Sequence, residues 1–468
     1  MTPDSLNSAF ARQQAAYRLH PYPSLAERRY RLTQLKQLLL SHEDELAAAL
    51  NTDFGCRSVN ETVNAELLPS ILGINHTLRH LKRWMKPRKR LVPLLFQPAR
   101  SKLLPQPLGV TGIIVPWNYA LYLAIGPMTA ALAAGNHCMV KISEYTPAFG
   151  ALFERLIDDV FDDGIVTVIN GEVDVAQAFS ALPFDYLLLT GSTAVGKQVM
   201  AAAAKNLTPV TLELGGKSPA VVDSSIPIAE AAERLAFGKC LNAGQTCIAP
   251  DYVLCPPDLI DPFIDAFHKA VHRFYGRVNS NPDYSAIIND RQRQRLESCL
   301  KEAEADGATL HWGDQAPGLD ASTGKLPPVL LTGVSLDSAV MQQEIFGPIL
   351  PVIPCESVLE AQRFINERPR PLALYLFGYD RGWQEKFEHS THSGALVIND
   401  TLYHATLDNL PFGGVGASGM GHYHGIEGFN TFSKLKPVVS KQQINSLKLI
   451  YPPYSHRVQS LIRRFFIR

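Results

Sequence analysis

Between residues 24 and 50 leucines recur at helical spacing: Leu25, Leu32, Leu35, Leu38, Leu39 and Leu40 fall among Arg, Lys and Gln. Apolar residues three and four apart share one face, so this stretch predicts an amphipathic helix. Residues 62–85 predict another. From about residue 108 the pattern changes to short apolar runs separated by helical stretches. Runs at 110–115, 138–142, 166–169, 186–190 and 210–214 predict buried strands, with helices at 148–161 and 194–205. A second alternating block follows, with helices near 227–241, 262–275 and 357–367 and strands near 252–255 and 395–398. Alternating strand and helix implies a parallel, doubly wound sheet, because parallel neighbours need a crossover. The fold class is therefore α/β, and TLELGGK at 211–217 predicts a hinge between the two blocks.

Composition narrows the class. The chain has 468 residues, 46% hydrophobic and 19% charged, which is globular and sufficient for two or three domains. Lys+Arg and Asp+Glu are both 44, and a zero net charge argues against a dedicated nucleic-acid binder. Seven cysteines, none in C-x-x-C spacing, argue against a disulfide framework or a Cys-rich zinc site, so no metal is expected. A reducing, cytoplasmic setting fits them, and the first residues show no apolar signal-peptide core. Residues 103–140 carry no charged side chain and are long enough to span a bilayer. Pro105, Pro107, Pro116 and Pro127 interrupt them, with Gly109, Gly112, Gly126 and Gly135, so strand, loop and helix in a soluble core are expected.

Charge is distributed unevenly. No Asp or Glu occurs from 67 to 143, where Arg79, Lys82, Arg83, Lys86, Arg88, Lys89 and Arg90 cluster. Such a run suits an anionic surface, or more simply a solvated arm or subunit contact. The tail 457–468 puts Val458, Leu461, Ile462 and Phe465 on one helical face among arginines. Twelve residues are too few to span a membrane, so packing on the protein's own body or a partner subunit is expected over membrane contact.

Candidate chemistry lies in the loops. Residues 187–205 run from an apolar strand through GSTAVG into a helix. Free N–H groups at a helix start attract phosphate, and Gly191 and Gly196 allow close backbone approach; an ordinary strand–helix turn looks the same. An acidic residue should contact a dinucleotide ribose, and the candidates are Lys141 and Glu144, directly after the strand at 138–142. Cys247, in NAGQTCIAP, differs from the other cysteines in its polar, turn-like neighbours, where a thiolate can react. A nucleophilic thiol needs an oxyanion donor and a base. Asn118, after the strand at 110–115, and Glu213, at the end of VTLELGG, are candidates. A carboxyl at an apolar strand end is costly unless paired or protonated, which points to a raised pKa; a structural ion pair is the alternative.

Six segments in order, PWNYA (116–120), TGSTAVGK (190–197), VTLELGGKSP (210–219), GQTCIAP (244–250), EIFGPILP (344–351) and LPFGGVGASGMG (410–421), resemble the aldehyde dehydrogenase superfamily. The short N-terminus and AGQTCIAPDYVLC resemble its class 3 branch, and RWMKPRKR, FQPAR and YPPY its bacterial coniferyl-aldehyde dehydrogenase-like members. The resemblance implies a Rossmann-type cofactor domain (1–83 and 102–210), an α/β catalytic domain (211–423) and an oligomerisation arm and tail (84–101 and 424–468). It implies Cys247 as nucleophile, Glu213 as general base and Asn118 as oxyanion donor with the Cys247 N–H. Lys141 and Glu144 match contacts to the adenosine ribose, Gly191, Ser192 and Gly196 the pyrophosphate turn, and Glu344 and Phe346 the nicotinamide ribose. Ile142 stands where the family often has Pro, and Ala120 replaces a common Pro, an exchange expected to loosen the Asn118 loop.

The implied reaction oxidises an aldehyde, aromatic or medium-chain and coniferyl aldehyde among them, to the acid with NAD, NADP also being accepted. A CoA-acylating dehydrogenase and a thioesterase or esterase on the same cysteine are the alternatives. Tyr119, Tyr122, Phe237 and Phe412 are candidate walls of an apolar substrate funnel, or simply core. A homodimer is implied.

Overall fold

The structure is a computed structural model and describes residues 3–161, 164–315, 317–441, 443 and 445–467. Arg468, the last residue of the predicted tail, lies outside the described residues. The strands in chain order are β1 (Arg88–Arg90), β2 (Ala99–Pro107), β3 (Val110–Ile114), β4 (His137–Lys141), β5 (Val166–Ile169), β6 (Tyr186–Gly191), β7 (Val210–Leu214) and β8 (Pro219–Val222). They continue as β9 (Tyr252–Cys255), β10 (Thr309–His311), β11 (Val329–Thr332), β12 (Ile349–Pro354), β13 (Ala373–Phe377), β14 (Ala395–Ile398), β15 (Gly419–Met420) and β16 (Ser433–Lys441).

Three sheets result. The first has the order β15-β7-β6-β3-β4-β5 and is parallel except for β15. The second, β10-β11-β12-β9-β8-β13-β14, is parallel except for β10. The third, β1-β2-β16, is antiparallel. Strands such as β4, β8, β9 and β13 are buried along their whole length, as expected when helices cover both faces of a parallel sheet.

Three strands cross the boundaries expected from the sequence, β15 among them because it pairs with β7 in the first sheet. β7 is hydrogen-bonded to β6 and belongs to the first sheet, so the passage to the second sheet runs through Gly215 and Gly216. β2 pairs with β16 as far as Pro107, which puts residues 102–107 in the small sheet. The amphipathic stretch expected at 24–50 is two helices, Leu25–Ser41 and Glu43–Phe54, broken at His42. Residues 103–140 become the end of β2, β3, the buried helix Ala120–Ala134 and β4. Among the described residues no helix is long and apolar enough to cross a membrane.

The tail forms the helix His456–Ile462 and a final π-helical turn, Arg463–Ile467. It does not bury its apolar residues on its own body: Leu461, Phe465, Phe466 and Ile467 are 54%, 68%, 55% and 70% exposed. Leu91 and Leu94 are exposed as well, and nearly all of the basic cluster at 79–90 faces outward.

Candidate active site

The first sheet reverses its strand order between β3 and β6. Ligands of doubly wound sheets bind in the crevice at the carboxyl ends of such a pair. Here β3 delivers Pro116, Trp117 and Asn118, and β6 delivers Gly191 and Ser192, to one cavity of about 260 Å³. Ser192 caps the helix Thr193–Ala204, its hydroxyl accepting from Val195 N–H, so other N–H groups of that first turn remain free for an anion. Gly196 has a packing role: a Cβ there would lie 2.7 Å from Leu214 Cδ2, so its absence brings the helix down onto β7.

Glu344 and Phe346 line the opposite wall. Their loop is tied down by groups that motif reading missed. Arg295 donates to Ile345 O at 2.6 Å, Asp251 accepts from Ile345 N–H at 3.0 Å, and Lys217, ion-paired with Asp251, donates to Val340 O and Gln343 O. Phe346 adopts φ 47° and meets the Trp117 ring edge-on at 5.3 Å. Burial and the nearby Asp251 push Glu344 up to about 8, against the pull of the Gly216 N–H, Lys217 and Arg295. A Cβ on Gly215 would overlap its carboxyl group, so any other residue there would displace Glu344.

These residues fit a nicotinamide dinucleotide. A helix start suits its pyrophosphate, and the buried Glu344 Oε1, without a protein partner, suits a ribose hydroxyl. Lys141 and Glu144 follow at the end of β4. The Lys141 ammonium is buried and donates to Ile142 O at 2.6 Å and Gly171 O at 2.7 Å, leaving a third donor. Glu144 is half-buried in the turn beyond and favours the charged form of Lys141.

A second cavity, about 330 Å³, is predominantly apolar. Tyr119, Tyr122, Phe237 and Phe412 all line it, together with Leu241, Leu402, Tyr403, Tyr423 and His424, which the sequence did not single out. Phe412 lies between two imidazoles, 5.4 Å from His424 in a stacked pair and 6.0 Å from His404. Burial holds both histidines far below their usual range, at about 3 for His424 and about 4 for His404, so both are neutral at pH 7, His424 in the cavity wall and His404 behind Phe412. Tyr122 donates to Ala405 O at 2.7 Å, which fixes its ring against the pocket.

Thr190, Glu213 and Cys247 line both cavities. The register explains two of them: Thr190 on β6 pairs with Glu213 on β7, so both side chains leave the sheet in one row. Gly419 of β15 lies across from Glu213, and a Cβ there would be 2.0 Å from Leu212 O, so only glycine permits that pairing. Cys247 arrives from the second unit, on the loop between the helix Ile228–Cys240 and β9. Asn242, Ala243 and Gly244 are consecutively left-handed, at φ 51°, 51° and 73°. Such backbone is costly at non-glycine residues and persists only when its surroundings hold it. Gln245 does so, donating to Asn242 O and Ala286 O and accepting from Ile288 N–H.

Electrostatics set the resting state. Burial pushes the Cys247 thiol up to about 12, helped by Glu344 and Glu213, against the N–H groups of Cys247 and Ile248 that point at the sulphur. Burial raises Glu213 well above the carboxylate range; the nearby Gly414 N–H lowers it only in part and is not aligned to hydrogen-bond either carboxyl oxygen, both of which lack a partner. The ion-pair alternative for Glu213 is therefore not realised. Asn118 is buried and donates to Gln245 O at 3.1 Å, which brings the loop after β3 against the cysteine loop. Despite Ala120, this loop is held at both ends, by Arg57 at Asn118 O and by Glu66 at the Leu121 and Tyr122 amides.

The chain matches the aldehyde dehydrogenase family over residues 1–438. The chain belongs to the aldehyde dehydrogenase family. A probable coniferyl aldehyde dehydrogenase of Pseudomonas aeruginosa is 53% identical, across 99% of this chain and 97% of that protein. The coniferyl aldehyde dehydrogenase of Pseudomonas sp. strain HR199 is 41% identical, across 98% and 96%. Among solved structures, the substrate-bound state of Staphylococcus aureus AldH superposes with a TM-score of 0.93 at 38% identity, covering 98% of this chain and 99% of that one. The chain is thus an oxidoreductase with the aldehyde dehydrogenase fold, and it oxidises aldehydes to acids with NAD(P).

Proposed function

We propose that this aldehyde dehydrogenase oxidises aromatic, cinnamyl-type aldehydes, coniferyl aldehyde among them, with NAD preferred over NADP. One observation carries the reading: Thr190, Glu213 and Cys247 stand where a polar cavity suited to a dinucleotide meets an apolar, aromatic-walled one. Aromatic rings among the lining residues suit a planar conjugated substrate. The relatives named for coniferyl aldehyde support the same choice.

The roles are those the family resemblance implies, and the placement of Cys247 and Glu213 on both cavities supports them. Cys247, once deprotonated, adds to the aldehyde carbon; the C–S bond forms and the carbonyl electrons move to oxygen. The Asn118 amide and the Cys247 N–H hold that oxyanion, and one such donor contributes about 2.7–4 kcal/mol. NAD(P)⁺, when bound, would be the two-electron oxidant that accepts hydride from that carbon. Gly191 and Ser192, with Gly196 seating the helix behind them, would receive its pyrophosphate, Glu344 and Phe346 would hold its nicotinamide ribose, and Lys141 and Glu144 its adenosine ribose. The acyl group is left on Cys247 as a thioester. Glu213 takes a proton from water, hydroxide adds to the acyl carbon, the C–S bond breaks, and thiolate and carboxylic acid are released.

The three sheets divide this labour: the first for the cofactor, the second for the nucleophile, the third for association. The exposed apolar tail and the basic arm are read as cover for a second copy in a homodimer rather than as a membrane contact. Seven free cysteines support a cytoplasmic setting. The test is NADH formation against aliphatic, benzylic and cinnamyl aldehydes, with and without CoA. Cinnamyl substrates are expected to give the highest kcat/KM without CoA. A strict CoA requirement moves the reading to an acylating dehydrogenase, and acid release from esters alone to an esterase.

A further inference from the structure

A buried ionic cluster that takes no part in these steps lies directly behind the Asn118 loop. Arg57, 2% exposed, follows the helix Glu43–Phe54. Its Nη1 donates to Asn118 O at 2.8 Å, an acceptor it shares with Asn242 Nδ2 at 3.0 Å. Its Nη2 lies 2.9 Å from Glu66 Oε1, an ion pair off the hydrogen-bond axis, and its Nε lies 3.9 Å from Glu61. The guanidinium also covers the Phe54 and Tyr119 rings, at 4.7 and 5.2 Å.

Glu66 completes the link. Its Oε2 accepts from Leu121 N–H at 2.8 Å and Tyr122 N–H at 3.2 Å. These amides begin the helix Ala120–Ala134, whose cap residue makes no side-chain hydrogen bond. Glu66 therefore caps that helix from another element, a π-helical turn at Val63–Leu67. The carbonyl of Asn118 and the amides three and four residues later are thus gripped by one ion pair. Tyr119 between them is fixed as well, its hydroxyl 2.7 Å from that of Thr246, next to Cys247.

From this geometry we infer that Arg57 and Glu66 are positioning residues for the reaction: they hold the main chain from Asn118 to Tyr122 so that the Asn118 amide meets the oxyanion formed at Cys247. The inference rests on the proposed role of Asn118. Fixing the carbonyl of Asn118 limits how its peptide plane rotates, and through it where the side chain can point. A static buried ion pair would serve stability alone; this one grips both sides of the proposed donor.

The experiment uses the full-length enzyme with Glu66→Gln, Arg57→Lys and Asn118→Ala, and each of the first two combined with Asn118→Ala. Glu66→Gln can still accept from an amide but loses the ion pair, and Arg57→Lys keeps the charge but loses the fork. Each is expected to lower kcat/KM for aldehyde by about 10–100-fold, mainly in kcat. NAD dissociation and Cys247 alkylation should stay within about two-fold of wild type, which shows that the fold and both cavities survive. In the Asn118→Ala background the further loss should shrink to less than about three-fold, because the positioned group is gone. Losses that multiply with that of Asn118→Ala, or unchanged kcat/KM in both single variants, overturn the inference while leaving the oxyanion role intact. An Asn118→Ala enzyme as active as wild type overturns the oxyanion role itself, and the inference with it.

Discussion

Replacing Glu213 by Gln separates its chemistry from its cost to the fold. The side chain is 2% exposed, and both carboxyl oxygens lack a protein hydrogen-bond partner. Burial raises its pKa well above 4.5, so a proton is bound more tightly in the folded chain than in the unfolded one. The stability this group contributes is full below its unfolded value near 4.5 and is lost as pH rises through the higher folded value. Glutamine has the same shape and no charge to desolvate. The variant should therefore unfold at a higher temperature than wild type, by a margin that widens from pH 6 to pH 9. Each unit by which the folded pKa exceeds the unfolded one is worth about 1.4 kcal/mol at pH above both, which sets the scale of the gain.

Catalysis should move the other way. Glutamine cannot take a proton from water, and general-base assistance is about 10²–10⁴-fold. Steady-state NADH formation should fall by that factor. A single-turnover burst should survive, because thioester formation precedes the step that needs the base. In wild type the steady-state rate should climb with pH as Glu213 loses its proton, and in the variant that limb should flatten. Rapid mixing at 340 nm and thermal unfolding across pH read both effects. Loss of the burst with Cys247 still alkylatable would place Glu213 in thiol activation instead. A steady-state rate within three-fold of wild type, or a variant less stable than wild type at pH 9, refutes the reasoning.

Cys247→Ala should abolish aldehyde oxidation while NAD binding stays within a few-fold by fluorescence titration; retained turnover removes it as nucleophile. Glu144→Gln should lower the ratio of kcat/KM for NAD over NADP, mainly by improving NADP. A carboxylate near a 2′-phosphate costs about 1–4 kcal/mol at partly screened sites, so an unchanged ratio means that Glu144 does not face that ribose. Deletion from Arg457 should shift the mass measured by light scattering toward the monomer, with both forms in the supernatant of salt-washed membranes. A truncated chain of unchanged mass means that the exposed Phe465 and Phe466 cover nothing in the assembly.

Legibility followed how local the determinant is. β3, β5, β7, β9 and β14 are short apolar runs bounded by polar turns, and each was placed to within a residue. β8, β11, β12 and β13 are built the same way, yet they sit in apolar surroundings where neither period stands out, and they were not assigned. The helix Ala120–Ala134 is apolar all round because it is buried on every side, so its pattern carries no phase. β2 reads as a loop because of Pro105 and Pro107; it forms because β1 pairs only with residues 101–103, leaving the proline end free on that side. Cys247 and Asn118 stand out because their loops are unlike strands or helices in composition, and Glu213 because it is a carboxyl at the end of an apolar strand. The same signal located Gly191 and Ser192, but not which of the nearby glycines packs a helix and which leaves room for a ligand.

The groups that hold those loops leave no local trace. Arg57 and Glu66 lie 61 and 55 residues before the atoms they grip, in stretches that read as ordinary charged helix and loop. Nothing in LNAG announces that Asn242 and Ala243 are left-handed; that follows from Gln245, whose amide is satisfied only with the chain in that shape. A motif thus names the reacting atoms, while their placement depends on buried polar groups whose partners are distant in the chain. This is why removing one partner should be felt at the chemistry: a charge left unpaired in the interior has no water to turn to, and the loop it held is the part that yields.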